Sequence, residues 1–125
     1  MLYGGNVKQH DDPRYIQAKQ KLEDSILSGK FALGQEIPSI RSLAVDFQVN
    51  PNTIQRALNL LREENLICLS SHRRFSVTRD ALLICRCKER KAKLLVLQLR
   101  KSLFTLGYGW NEILDELISA AGVAG

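Results

Sequence analysis

Five side chains between Arg41 and Arg56 carry the hydrogen-bonding groups of a surface that could read a polyanion or a base edge: Arg41, Asn52, Thr53, Gln55 and Arg56. Arginine offers a fork of N–H donors to phosphate oxygens or to guanine, and the amide side chains match the edge of adenine in a major groove. A threonine hydroxyl and backbone N–H groups at a helix start suit a phosphate. This chemistry requires the groups to share one outward face near the beginning of a helix, so the surrounding pattern decides whether they act together.

The stretch Pro38 to Asn65 supplies that pattern. Ser39 reads as an N-cap, and Ile40, Leu43, Ala44 and Phe47 recur at helical spacing, leaving Arg41, Ser42 and Asp46 outward. The helix breaks at Gln48-Val49-Asn50. Asn50 reads as the next N-cap and Pro51 as the first helical residue, where its missing N–H costs nothing. Ile54, Ala57, Leu58 and Leu61 form the inner stripe of this second helix. Two short helices with a polar, arginine-bearing start to the second predict a helix-turn-helix whose second helix reads a DNA groove. Ser39 and Asn50, at the two helix starts, complete the expected DNA-facing set.

The neighbouring segments must hold this pair. Residues 1–12 are polar with no periodicity and are expected to form a flexible N-terminal arm. From Pro13 to Ser28, Ile16, Leu22, Ile26 and Leu27 make an apolar helical face that Gly29 closes. Phe31, Leu33 and Ile37, around Gly34, predict a connector tucked onto the core. Leu66–Leu69 and Phe75–Thr78 predict a β-hairpin, and its tip places His72, Arg73 and Arg74 to meet phosphates or the minor groove.

Asp80 reads as the cap of one long helix from Ala81 to about Leu106, a span with no proline or glycine before Gly107. Its start is basic from Arg86 to Lys93 and reads as a solvated face. Gly107-Tyr108-Gly109 makes a turn, and a last helix runs from Trp110 to Ala121, with Glu112 in a partial capping arrangement. Apolar residues of this tail occupy more than one stripe, and too little protein remains to cover them. A homodimer through Leu95, Leu99, Leu103, Trp110, Ile113 and Leu117 is therefore expected, and it would present two reading helices to a palindromic site. The expected fold is mainly α with a small β-hairpin. Residues 13–79 form a winged helix-turn-helix DNA-binding domain and residues 80–125 a two-helix dimerisation domain.

Composition is consistent with a polyanionic partner and argues against other classes. The chain has 125 residues, 45% of them hydrophobic, and a formal charge of +5. It contains no run of about 18 apolar residues and no basic-then-apolar leader pattern, so a cytoplasmic protein without a membrane partner is expected. The three cysteines, Cys68, Cys85 and Cys87, are an odd number and read as reduced packing thiols. On a helix Cys85 and Cys87 would point about 200° apart, which disfavours joint metal ligation. His72 reads as a hydrogen-bond donor. No phosphate-cradling glycine loop, metal-spaced His/Cys set or nucleophile with an evident base appears, so neither an enzyme nor a cofactor is expected.

The chain resembles the GntR family of transcriptional regulators. The resemblance rests on Gly29 through Gly34, Ile37-Pro38-Ser39-Ile40-Arg41-Ser42-Leu43-Ala44, Val49-Asn50-Pro51-Asn52-Thr53-Ile54-Gln55-Arg56-Ala57, Leu61 and Leu66-Ile67. The tail, with two helices and a Leu-Gly-Tyr turn, resembles the small YtrA subfamily. The resemblance implies that Arg41 contacts DNA from the first helix of the pair and that Asn52, Thr53, Gln55 and Arg56 meet phosphates and base edges. It also implies a repressor that dimerises through its tail and lacks a large effector domain; a small-molecule effector would be of unspecified identity. The wing departs from the family pattern, since His72 and Arg74 replace two glycines. The competing reading is a helix-turn-helix protein-interaction module without sequence-specific DNA binding.

Overall fold

The structure, a computed structural model, describes residues 13–122, and the arm expected over residues 1–12 lies outside them. Among the described residues there are five helices and one two-stranded hairpin. In order these are α1 (Arg14–Leu27), α2 (Ile40–Phe47), α3 (Pro51–Glu63), β1 (Ile67–Leu69), β2 (Phe75–Val77), α4 (Ala81–Thr105) and α5 (Trp110–Gly122). The chain divides into two compact units, one ending at Cys87 and the other beginning at Lys88. The first unit reaches beyond the end of the wing because Leu83, Ile84 and Cys87 pack against its core.

That core is built from the expected stripes. Leu22, Ile26 and Leu27 of α1, Leu43 and Ala44 of α2, and Ile54, Ala57, Leu58 and Leu61 of α3 are buried together with Leu66, Ile67, Phe75 and Val77. Ala18 joins them, which lets α1 approach α3 closely. The helical period puts these positions on one face, and full burial of each Leu or Ile stabilises the fold by roughly 1.5–3 kcal/mol. Phe47 is half-buried at the rim, with the Lys21 ammonium 5.5 Å from its ring centroid.

Local chemistry sets the helix ends. Gly29 takes a φ of 86° just after α1, as its place as terminator requires. Asn65 does the same after α3 with a φ of 64°, and the Leu66 N–H bonds back to the Leu61 carbonyl at 3.1 Å. This closing turn consumes Leu66, so β1 starts at Ile67, one residue later than the apolar run indicated. β1 and β2 pair antiparallel, Ile67 opposite Val77 and Leu69 opposite Phe75.

The connector after α1 does more than tuck inward. Gly34 N–H donates to the Val77 carbonyl at 3.0 Å, Val77 N–H to Gln35 at 2.9 Å, and Ile37 N–H to Phe75 at 2.8 Å. The segment thus lies along the free edge of β2 and satisfies backbone groups that the two-stranded hairpin would leave unpaired. Ile37 is buried there and Phe31 packs at the margin, whereas Leu33 remains 46% exposed, contrary to the expectation that it would join the core.

One ion cluster ties α1 to the end of α3. The Lys19 ammonium lies 2.9 Å from Glu23 and 3.0 Å from Glu64. Burial works against its charge, but the hydrogen bonds and attraction of the two carboxylates outweigh burial and raise its pKa above the ordinary 10.5. A pKa raised on folding gives stability that is present below the unfolded value and lost as pH rises through the folded one. Thermal melts should therefore show the parent above Lys19→Met at pH values below the ordinary lysine range, with the gap closing as pH rises past the raised pKa of the folded state.

The second unit contains the later part of α4 and α5. Gly107, with a φ of 91°, ends α4: its N–H donates to Phe104 at 2.9 Å and that of Tyr108 to Leu103 at 3.0 Å. Glu112 reaches back to the Gly109 N–H at 2.8 Å, as the capping pattern indicated. Phe104 and Trp110 meet edge to face with centroids 5.5 Å apart. Ile113 is buried at 3% exposure, but Leu95, Leu99, Trp110 and Leu117 are exposed and Leu103 only half-buried. Four of the six expected dimerisation residues are thus exposed in a single chain and Leu103 is partly so; Ile113 is consumed by the chain's own packing. No helix among the described residues is long and apolar enough to cross a membrane.

Candidate nucleic-acid interface

The reading surface is assembled by two caps and one strained turn. The Ser39 hydroxyl accepts from the Ser42 N–H at 3.1 Å and starts α2. Gln48 closes it in the left-handed region, φ 56°, with its N–H on Val45 and the Val49 N–H on Ala44. A non-glycine residue there costs about 1 kcal/mol or somewhat more, offset by the core contacts on either side. The Asn50 side chain accepts from the Asn52 N–H at 2.8 Å, and Pro51 opens α3. Ser39 and Asn50, both expected to face DNA, are therefore employed as caps, although both are exposed.

On α3, Asn52 and Arg56 are exposed and Thr53 and Gln55 half-buried, all beside the turn. The Gln55 side-chain amide donates to the side-chain Oδ1 of Asn59 at 3.0 Å, which orients it along the helix. Arg41 is exposed on α2 and, with Arg14, Gln48, Asn50 and Pro51, lines a shallow hollow next to the turn. Arg14 had drawn no notice in the sequence. Nor had Tyr15, whose ring carries the Arg56 guanidinium 3.9 Å from its centroid. Both belong to the first turn of α1, and only the packing of α1 on α3 brings them to this surface.

The wing tip is organised by Ser70. Its N–H donates to the Arg74 carbonyl at 2.8 Å, its carbonyl accepts from Arg73 at 3.0 Å, and its hydroxyl accepts from the amides of His72 and Arg74. The residue forced left-handed is Arg73, φ 60°, between the two positions where glycines were missed. This is the tight-turn-plus-bulge geometry that glycine ordinarily serves. Replacing it, Arg73→Gly, should raise stability in thermal melts by about 0.5–1 kcal/mol, the relieved backbone strain less the added freedom of the unfolded chain. His72, Arg73 and Arg74 are all exposed, but Arg74 is tied to Glu36 at 2.8 Å.

Cys68 is exposed with its thiol 3.7 Å from the Ser76 carbonyl, Cys85 is exposed, and Cys87 is half-buried. No cluster of three or more His, Cys, Asp or Glu among the described residues is arranged to hold a metal ion.

Three helices, the second and third forming a helix-turn-helix, followed by a hairpin wing, define a winged helix-turn-helix protein. Residues 14–77 match the model described as "Bacterial regulatory proteins, gntR family". The chain belongs to the GntR family, whose members are DNA-binding transcription regulators. Among solved structures it is similar to a GntR family transcriptional regulator from Listeria monocytogenes, with a TM-score of 0.80 and 28% identity, covering 86% of this chain and 95% of that one. That coverage includes the C-terminal helical region. It is also similar to AraR(DBD), solved in complex with operator ORR3, with a TM-score of 0.51 and 29% identity over 53% of this chain and 80% of that one. The HTH-type transcriptional repressor YtrA of Bacillus subtilis is 36% identical over 55 residues, 44% of this chain and 42% of that protein. The chain spans only 12% and 14% of two curated relatives that it matches at 40% and 42% identity.

Proposed function

We propose that the chain is a transcriptional repressor that binds a two-fold operator as a homodimer in the cytoplasm. The observation that carries this reading is the outward start of α3, where Asn52, Thr53, Gln55 and Arg56 follow the turn that Arg41 of α2 also lines; the exposed cationic wing tip adds to the same charge. The helix start and arginines suit phosphates, and Gln55 and Arg56 have the reach for base edges. Repression is supported by similarity to the YtrA repressor, and the two-fold mode by the uncovered apolar surface of α4 and α5. Residues 80–125 serve as the dimerisation domain in this reading.

Selection from random duplex DNA followed by mobility shift tests the proposal. The parent should enrich a palindromic motif, and Arg41→Ala and Arg56→Ala should each weaken binding to it by about tenfold or more, the usual value of one charged contact. Enrichment of no motif would instead mark a protein-docking helix-turn-helix. Equal binding by both variants would show the site assignment to be wrong.

A further inference from the structure

Arg56 lies on the exposed side of α3, where an arginine would ordinarily sample several rotamers. Here its guanidinium sits over the Tyr15 ring at 3.9 Å, within the range of a strong cation–π contact. It makes no hydrogen bond or ion pair with another described residue. A ring attracts the guanidinium through its π-face and leaves the N–H donors at the rim available for another partner. Tyr15 belongs to α1, outside the helix pair, and is itself half-buried by the packing of α1 on α3.

We propose that Tyr15 is a positioning residue for base recognition: its ring holds Arg56 in the conformation that meets DNA. The proposal rests on Arg56 being a DNA contact, as set out above. Ordering a long side chain on binding weakens affinity, and a side chain ordered beforehand avoids that loss. The effect is specific to sequences that Arg56 reads, because a freely moving arginine would still neutralise any nearby phosphate. Selectivity therefore extends from the reading helix to the first turn of α1.

The test uses the full chain, a duplex enriched by the parent from a random library, and the unselected library as the non-specific probe. Affinity and base preference are measured for Tyr15→Leu, Tyr15→Phe, Arg56→Ala and the Tyr15→Leu/Arg56→Ala double variant, with melts run in parallel. Tyr15→Gln replaces Tyr15→Leu should the latter melt early. Loss of the ring should weaken binding to the enriched duplex about fivefold, with little change on unselected DNA, and flatten the same base positions as Arg56→Ala. Tyr15→Phe should restore both affinity and preference. In the Arg56→Ala background, removal of the ring should add less than about twofold.

A loss that persists undiminished in that background, or a Tyr15→Phe variant as weak as Tyr15→Leu, would overturn the proposal. So would parental binding by Tyr15→Leu while Arg56→Ala is impaired, and that pattern leaves the role of Arg56 standing. Parental binding by Arg56→Ala would remove the DNA contact itself and the proposal with it.

Discussion

Leu58→Ala should lower the free energy of unfolding of the DNA-binding unit by about 3 kcal/mol, within the 2–5 kcal/mol usual for a buried leucine. Leu58 is fully buried on α3 in the middle of the stripe that meets α1, α2 and the wing. Truncation removes the transfer free energy of the lost carbons and leaves a cavity. Leu58 belongs to one cluster of Leu, Ile, Ala, Phe and Val side chains, so collapse into the gap would have to shift elements that are packed on several sides. Small domains have about 5–15 kcal/mol in total, so the loss is a large share of the whole. Urea denaturation should show a lower midpoint with an unchanged slope. A loss below about 1 kcal/mol would mean that the packing around α3 is looser than the burial indicates.

Leu99→Asp, and independently Leu117→Asp, should convert the proposed dimer to a monomer in sedimentation and reduce affinity for a palindromic duplex by about a hundredfold. Both leucines are large apolar side chains left 44% and 45% exposed on α4 and α5. Burying a carboxylate against a second apolar surface costs far more than the packing it replaces, so the association fails without disturbing the helices themselves. The effect on DNA arises because a dimer engages its second half-site intramolecularly, an advantage on the order of 10²–10⁴ that a monomer lacks. Dimers that survive both substitutions would place the association surface elsewhere.

The elements that could be read from the sequence are those whose cause is local. Ser39, Asn50 with Pro51, Asp80 and Glu112 each sit within three residues of the amide they serve, and each makes the bond its position implied. The core stripes were legible for the same reason, since the helical period fixes which face Leu22, Ile54 and Leu58 share. What escaped was contact between distant segments. Nothing near Tyr15 signals that it will meet Arg56, nor near Glu36 that it will meet Arg74, and the edge pairing of residues 34–37 with β2 depends on how the connector returns. The wing was half legible. The absence of the two glycines marked the wing as a departure from the family pattern, but which residue takes the left-handed conformation depends on the turn that Ser70 organises, and that residue is Arg73.

The Arg74–Glu36 pair gives the wing a particular ionic accounting. A free surface arginine brought to a phosphate displaces about one condensed counterion and steepens the fall of affinity with salt. Arg74 begins with a carboxylate 2.8 Å away, so moving to a phosphate exchanges one anionic partner for another and leaves Glu36 beside the polyanion. The resulting repulsion offsets much of the attraction. In salt titrations the wing should therefore register as fewer ions released than its three basic side chains suggest, and neutralising Glu36 would make it more adhesive to DNA of any sequence.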